Sequence, residues 1–472
     1  MHRYHKHYYD GRWQEAAGDQ LIPVINPATE GVVGEVPAGT AADVDRAVAA
    51  ASEALPGWSA SSPQVRRSYL VQIHQELVAA APEMAELITT ELGMPLKLSQ
   101  RIQAGLPPMV LESYIALLED YAFSERIGNS LVLKEPVGVV AAITPWNYPL
   151  HQLLIKVAAA LAAGCTVVAK PSELTPLNAF VLARIVDSCG LPPGVFNLVS
   201  GYGAEVGEAL ATHAAVDMLS FTGSTATGRK IAAHAARLIK PVSLELGGKS
   251  AAVLLADADL VTAVKATVSS CFLNSGQTCN AHTRMLVPRE KYDEIVELAV
   301  KQVAGYVAGS PLDSATRIGP LVSSQQRDRV LAYMRSGLEE GAELLAGGLE
   351  PPEGLPLGYY VQPTIFGRVS PSMKIAREEI FGPVLCIMTY DDEEEAVAVA
   401  NSTDYGLAAG VWSQDRDHAE RIARKLQAGQ VDINGGRFNL LAPFGGYKQS
   451  GIGRELGRYG LEEFLQLKSL QF

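Results

Sequence analysis

VGVVAAITPWNYPLHQLLIKVAAALAAGCTVVAK, running from Val137 to Lys170, decides the fold. Val137–Ile143 is apolar and rich in β-branched residues, and Thr144-Pro145 breaks the run. Leu150–Ala163 is an apolar, alanine-rich segment of helical length closed by Gly164, and Thr166–Ala169 is again strand-like. Downstream the alternation continues. A helix over Leu177–Cys189 stops at Gly190–Gly194, a strand covers Val195–Val199, and a helix covers Ala204–His213. Then come a strand at Val216–Phe221, a helix at Ala226–Leu238 and a strand at Val242–Leu246. Short apolar strands alternating with helices are the signature of a parallel, doubly wound sheet.

The same rhythm resumes after Ser250. Strands are expected at Ala251–Leu255, Thr283–Val287, Val384–Tyr390, Leu407–Trp412 and Gln430–Ile433, with helices at Leu260–Leu273 and from Glu290 to Ala304. This reads as a second α/β domain. Upstream, Asp43–Ala54, Gln64–Ala80 and Glu83–Glu91 look helical. Ile127–Glu135 has a Gly-Asn turn and suggests a hairpin arm, and Leu461–Phe472 a last strand or helix.

Length and composition agree. At about 150 residues per domain, 472 residues make roughly three units. With 48% hydrophobic and 19% charged residues the chain can build sizeable cores, which excludes wholesale disorder. A net charge of −12 makes nucleic acid or an anionic membrane a poor partner. The most apolar run, Val157–Ala169, is shorter than the about 20 residues that span a bilayer. The N-terminal nonapeptide lacks the apolar core of a signal peptide. Five scattered cysteines without a CxxC pair suit a reducing compartment, so the cytoplasm is expected. His2, His5 and His7 have no further ligand cluster, and a surface strand is expected there rather than a metal site.

Five motifs carry chemistry, each also open to a plainer reading. Gly223–Gly228 (GSTATG) joins a strand to a helix, where backbone N–H groups suit a phosphate, or make a simple turn. Lys170 and Glu173 in KPSE follow a strand end; on spacing alone a capped helix start outranks a ribose clamp. Cys279 sits in a polar loop between Thr278 and Asn280, set for exposure, unlike Cys165, Cys189, Cys271 and Cys386 in apolar or helix-end contexts. Glu245, between two leucines at a strand end, is a candidate general base or half of a salt bridge with Lys249. Asn147 in PWNYP can donate to an oxyanion, or mark a turn.

Taken together, a nucleophile, a base, an oxyanion donor and a nucleotide-type turn resemble the NAD(P)-dependent aldehyde dehydrogenase superfamily, of the hydrolytic, non-acylating type. The resemblance covers essentially the whole chain. It rests on TPWNYP (144–149), KPSE (170–173), FTGSTATG (221–228), LELGGK (244–249), GQTC (276–279), EEIFGPV (378–384) and PFGGYKQSG (443–451). It implies two Rossmann-like open-sheet domains plus a small β oligomerisation arm. The cofactor domain would be residues 1–120 and 136–247, the catalytic domain 248–448, and the arm 121–135 and 461–472. That arm implies a homodimer or homotetramer.

By the same resemblance, Cys279 attacks the aldehyde, and Asn147 with the Cys279 backbone N–H holds the oxyanion. A thioester follows hydride transfer to NAD(P)+, and Glu245 activates the water that hydrolyses it. Lys170 and Glu173 hold the adenosine ribose, Ser224 after Gly223 the pyrophosphate, and Glu379 and Phe381 the nicotinamide end. Trp146 joins that cofactor set. Glu173 favours NAD+, since a carboxylate accepts from a free 2′-hydroxyl and repels a 2′-phosphate. Tyr148, Gln152, Ile155, Thr278, Asn280 and Phe438 line the substrate tunnel, with Phe438 preferred over its neighbour Arg437. The lining suggests a medium or long aliphatic, ω-oxo or aromatic aldehyde. Competing readings are a CoA-acylating enzyme, against which Glu245 counts, a catalytically lapsed binding protein on the same fold, and a cysteine esterase.

Overall fold

The computed structural model describes residues 1–472. Five parallel strands form the centre of an eight-stranded sheet in the order Val242–Glu245, Met218–Thr222, Val139–Ile143, Thr166–Lys170, Phe196–Leu198. The chain moves outward from Val139–Ile143 through two strands. It then returns to place Met218–Thr222 on the other side, which makes a switch point at the carboxyl ends of those two neighbours. Val140 and Ala142 pack into one core, and Val139, Ala141 and Ile143 into another on the opposite face. A strand buried on both faces needs a continuous apolar run, which is why VVAAI does not alternate.

The second sheet has seven strands, with Ser250–Leu254 between His282–Pro288 and Ala408–Trp412, and all but its edge strand Glu343–Ala346 run parallel. In a third sheet Ser130–Pro136 is the central strand, paired antiparallel with Leu465–Gln471 on one side and Ser124–Ile127 on the other. After the seven-stranded sheet the chain comes back to the first one. Gly451–Ile452 pairs antiparallel with Val242–Glu245 and sets Gly451 opposite Glu245. No helix is long and apolar enough to cross a membrane.

Three local expectations change. The helix expected over Ala204–His213 is a wide turn at Gly203–Gly207 followed by a short helix, Glu208–Thr212; glycine is a poor helix former. The N-terminal histidines do not all lie at the surface: His7, on the strand Lys6–Tyr9, is fully buried, 3.8 Å from Asp43. A helix absent from the sequence reading, Leu106–Asp120, packs on the helix Pro149–Ala163. Its Pro107-Pro108 looks like a breaker but sits in the first turn, where no intrahelical N–H is needed.

Candidate active site

Cys279 follows an unusually bent connection. The helix Leu260–Phe272 ends in a turn at Leu273–Gly276 in which Asn274, Ser275 and Gly276 all have positive φ, at 53°, 56° and 76°. A Cβ at 276 would stand 2.1 Å from the Gly382 carbonyl, so only glycine fits there. Polar side chains pin the bend. Asn147 Nδ2 donates to the Gln277 carbonyl at 3.0 Å, and the Asn147 carbonyl accepts from Gln103 Nε2 at 2.9 Å and Asn274 Nδ2 at 3.0 Å. The Tyr148 hydroxyl meets Thr278 Oγ1 at 2.6 Å. Asn147 is thereby tied to the cysteine loop through one of its two amide hydrogens. The other is left to donate.

Cys279 stands where two cavities meet. One, of about 160 Å³, is lined by Trp146, Asn147, Gly223, Ser224, Glu379 and Phe381 among others. The larger, of about 810 Å³, includes all six expected tunnel residues, Tyr148, Gln152, Ile155, Thr278, Asn280 and Phe438. Burial, then the charges of Glu379 and Glu245, pushes the Cys279 thiol up to about 12, with the Asn280 N–H opposing them. Its thiol is protonated at rest.

Glu245, at the end of its strand, is 2% exposed, and neither carboxylate oxygen has a hydrogen-bond partner. Burial first and the neighbouring Glu455 second raise its pKa well above the ordinary range, against the pull of Lys156 and Arg454. No Glu245–Lys249 salt bridge forms; Lys249 Nζ is buried without a partner. Glu245 lies outside the lining of both cavities, with Gly445 close behind: a Cβ there would stand 2.7 Å from Oε1.

The residues around the smaller cavity are shaped for close approach. Glu379 Oε1 accepts from the Gly248 N–H at 3.0 Å, and a Cβ on Gly247 would stand 2.3 Å from Oε2. Burial pushes the Glu379 carboxyl up to about 7. Phe381, at φ 61°, sets its ring edge-on to Trp146 with 5.3 Å between centroids. Gly223 and Ser224 line this cavity, and Ser224 caps the helix Thr225–Arg237 through the Thr227 N–H at 3.2 Å. Lys170, the last residue of the strand Thr166–Lys170, pairs with Glu173 at 3.4 Å, and neither lines either cavity.

The aldehyde dehydrogenase family model matches residues 13–470. The chain belongs to this family. It is 50% identical to a 3-succinoylsemialdehyde-pyridine dehydrogenase of a Pseudomonas species, over 100% of this chain and 99% of that protein. Among solved structures it resembles a mutant aldehyde dehydrogenase C from Pseudomonas syringae, complexed with NAD+ and octanal. That likeness has 47% identity and a TM-score of 0.98, covering 99% of this chain and 96% of the other. A Mycobacterium tuberculosis aldehyde dehydrogenase complexed with NAD+ is 43% identical, with a TM-score of 0.98 over 100% and 98% of the two chains.

In this family member the sequence reading missed several cavity residues. Ile102, Leu106, Met109 and Glu112 come from the unread helix and the segment before it. Arg437, set aside in favour of Phe438, lines the larger cavity beside it. Gln326 and Arg329 reach the smaller cavity from the helix Ser324–Glu339, whose charged sequence reads as a solvated face. Gln103 and Asn274 support Asn147 without any local motif.

Proposed function

We propose that this aldehyde dehydrogenase oxidises an aldehyde to its carboxylic acid with NAD+, through a covalent adduct on Cys279 that water hydrolyses. The observation that carries the reading is the position of Cys279 at the join of a glycine-lined cavity and a wide apolar one, with Asn147 tied to its loop. The Cys279 thiol gives up its proton to solvent as its sulfur adds to the carbonyl carbon. The free amide hydrogen of Asn147 and the Cys279 N–H stabilise the oxyanion. NAD+, when bound, supplies the acceptor for the hydride that leaves this carbon. Trp146, Gly223, Ser224, Glu379 and Phe381 would hold its nicotinamide half, and Lys170 with Glu173 its adenosine ribose. The close approaches at Gly247 and the helix N-terminus capped by Ser224 fit such a group.

Glu245 would take the proton from the water that releases the acid. Burial and the neighbouring Glu455 raise its pKa well above the ordinary range, which makes it a stronger base than a solvated carboxylate. Glu173 favours NAD+ over NADP+. A medium or long aliphatic, ω-oxo or aromatic aldehyde suits the larger cavity. The octanal of the Pseudomonas syringae complex and the pyridine semialdehyde in the relative's name belong to that range. Arg437 makes a poor clamp for an anionic tail, because Glu112 and Asp432 share its walls.

The chain is read as a cofactor domain (1–120 and 136–247), a catalytic domain (248–448) and an arm (121–135 and 461–472). The exposed face of Leu465–Gln471 suits a homodimer or homotetramer, and the free cysteines suit the cytoplasm. Glu245 counts against CoA acylation. The test is NADH formation from NAD+ and a panel of aldehydes, without CoA. Wild type turns over and Cys279→Ala does not; undiminished turnover by Cys279→Ala, or an absolute need for CoA, overturns the reading.

A further inference from the structure

The helix Pro149–Ala163 forms one wall of the larger cavity, which its N-cap Tyr148 and its buried residues His151, Gln152 and Ile155 line. His151 is a ring with two polar nitrogens in a helix that is apolar apart from Gln152 and Lys156, and it has no part in the mechanism above. It is 6% exposed. Its Nδ1 is enclosed without a partner, and Nε2 makes no hydrogen bond within the chain. Burial pushes the imidazole down to about 4, so at neutral pH it carries a single proton. An orphaned buried N–H is rarer than an orphaned acceptor, which puts that proton on Nε2. The rise of a helix, about 1.5 Å per residue, sets His151 about 4.5 Å beyond Tyr148, the residue bonded to the cysteine loop.

We infer that His151 is a specificity-determining residue: its Nε2–H donates to an acceptor, a ketone oxygen or ring nitrogen, carried on the aldehyde's tail a few bonds from the reacting carbon. This rests on the proposed aldehyde oxidation and names its substrate class more closely. A site built to hydrogen-bond one substrate group discriminates far more strongly than an apolar wall does. An acceptor-bearing tail satisfies the imidazole; a plain alkyl tail leaves its donor unpaired.

The test compares 4-oxononanal with nonanal, two aldehydes of equal chain length, in wild type, His151→Leu and His151→Gln. Wild type is expected to favour the keto aldehyde by about tenfold or more in kcat/KM. His151→Leu should erase that preference while nonanal turnover stays within about threefold, and His151→Gln, which keeps a donor, should restore part of it. A purely structural role would lower both substrates together and leave their ratio unchanged. Either an unchanged ratio in His151→Leu or no wild-type preference overturns the inference and leaves the proposed function standing. Wild-type failure to oxidise either aldehyde overturns both.

Discussion

Asn147 Nδ2 lies 3.0 Å from the carbonyl of Gln277, two residues before Cys279. One amide hydrogen holds the cysteine loop, and the other is the donor proposed for the oxyanion. Asn147→Ala should therefore lower kcat by about 10²–10³, the usual cost of removing one oxyanion donor. KM should change little. Steady-state kinetics on a folded variant check this; a loss confined to KM would make Asn147 a binding residue only.

Much of this site was legible because it lies at strand ends, where a polar residue after an apolar run has few structural excuses. Asn147 after Ile143, Glu245 after Leu244 and the turn after Phe221 all announced themselves in this way. The supports did not. Lys156 reads as a lone charge in an apolar helix, and its partner Glu455 comes 299 residues later. Gln103 and Asn274 have meaning only once folding brings three separate segments against Asn147. The helix Leu106–Asp120 was hidden by its own prolines, and with it one wall of the larger cavity.

Lys156 is buried between Thr222 Oγ1, at 2.7 Å, and Glu455, with which it forms an ion pair. It is also the leading cation that lowers the Glu245 pKa. Lys156→Met should cost about 3–5 kcal/mol by stranding Glu455, measured by chemical denaturation. It should also raise the Glu245 pKa further, so the basic form appears only at higher pH. The rising limb of the deacylation rate then moves up the pH scale; a limb that stays in place would remove Lys156 from the account.

The Cys279 thiol, held up at about 12, is the protonated species in the free enzyme. Alkylation by iodoacetamide should be slow at neutral pH and rise by about tenfold per pH unit through the alkaline range, following the thiolate fraction. Mass spectrometry of the Cys279 peptide reads the rate. A plateau below about pH 9 would show a thiolate stabilised by a group this account does not include.

Glu173 pairs with Lys170 at 3.4 Å and sets the sign of charge at the proposed ribose site. Glu173→Gln should raise kcat/KM for NADP+ relative to NAD+ by about tenfold, equivalent to about 1.4 kcal/mol. Unchanged relative efficiencies would place cofactor choice elsewhere.

The central claim is a covalent relay from Cys279 to water through Glu245. Pre-steady-state mixing of Glu245→Gln with NAD+ and octanal, followed by intact-protein mass spectrometry, tests it most directly. The account predicts a burst of about one NADH per chain, then turnover slowed by about 10²–10⁴, with an octanoyl adduct on Cys279. Full steady-state turnover with no burst and no adduct would contradict it.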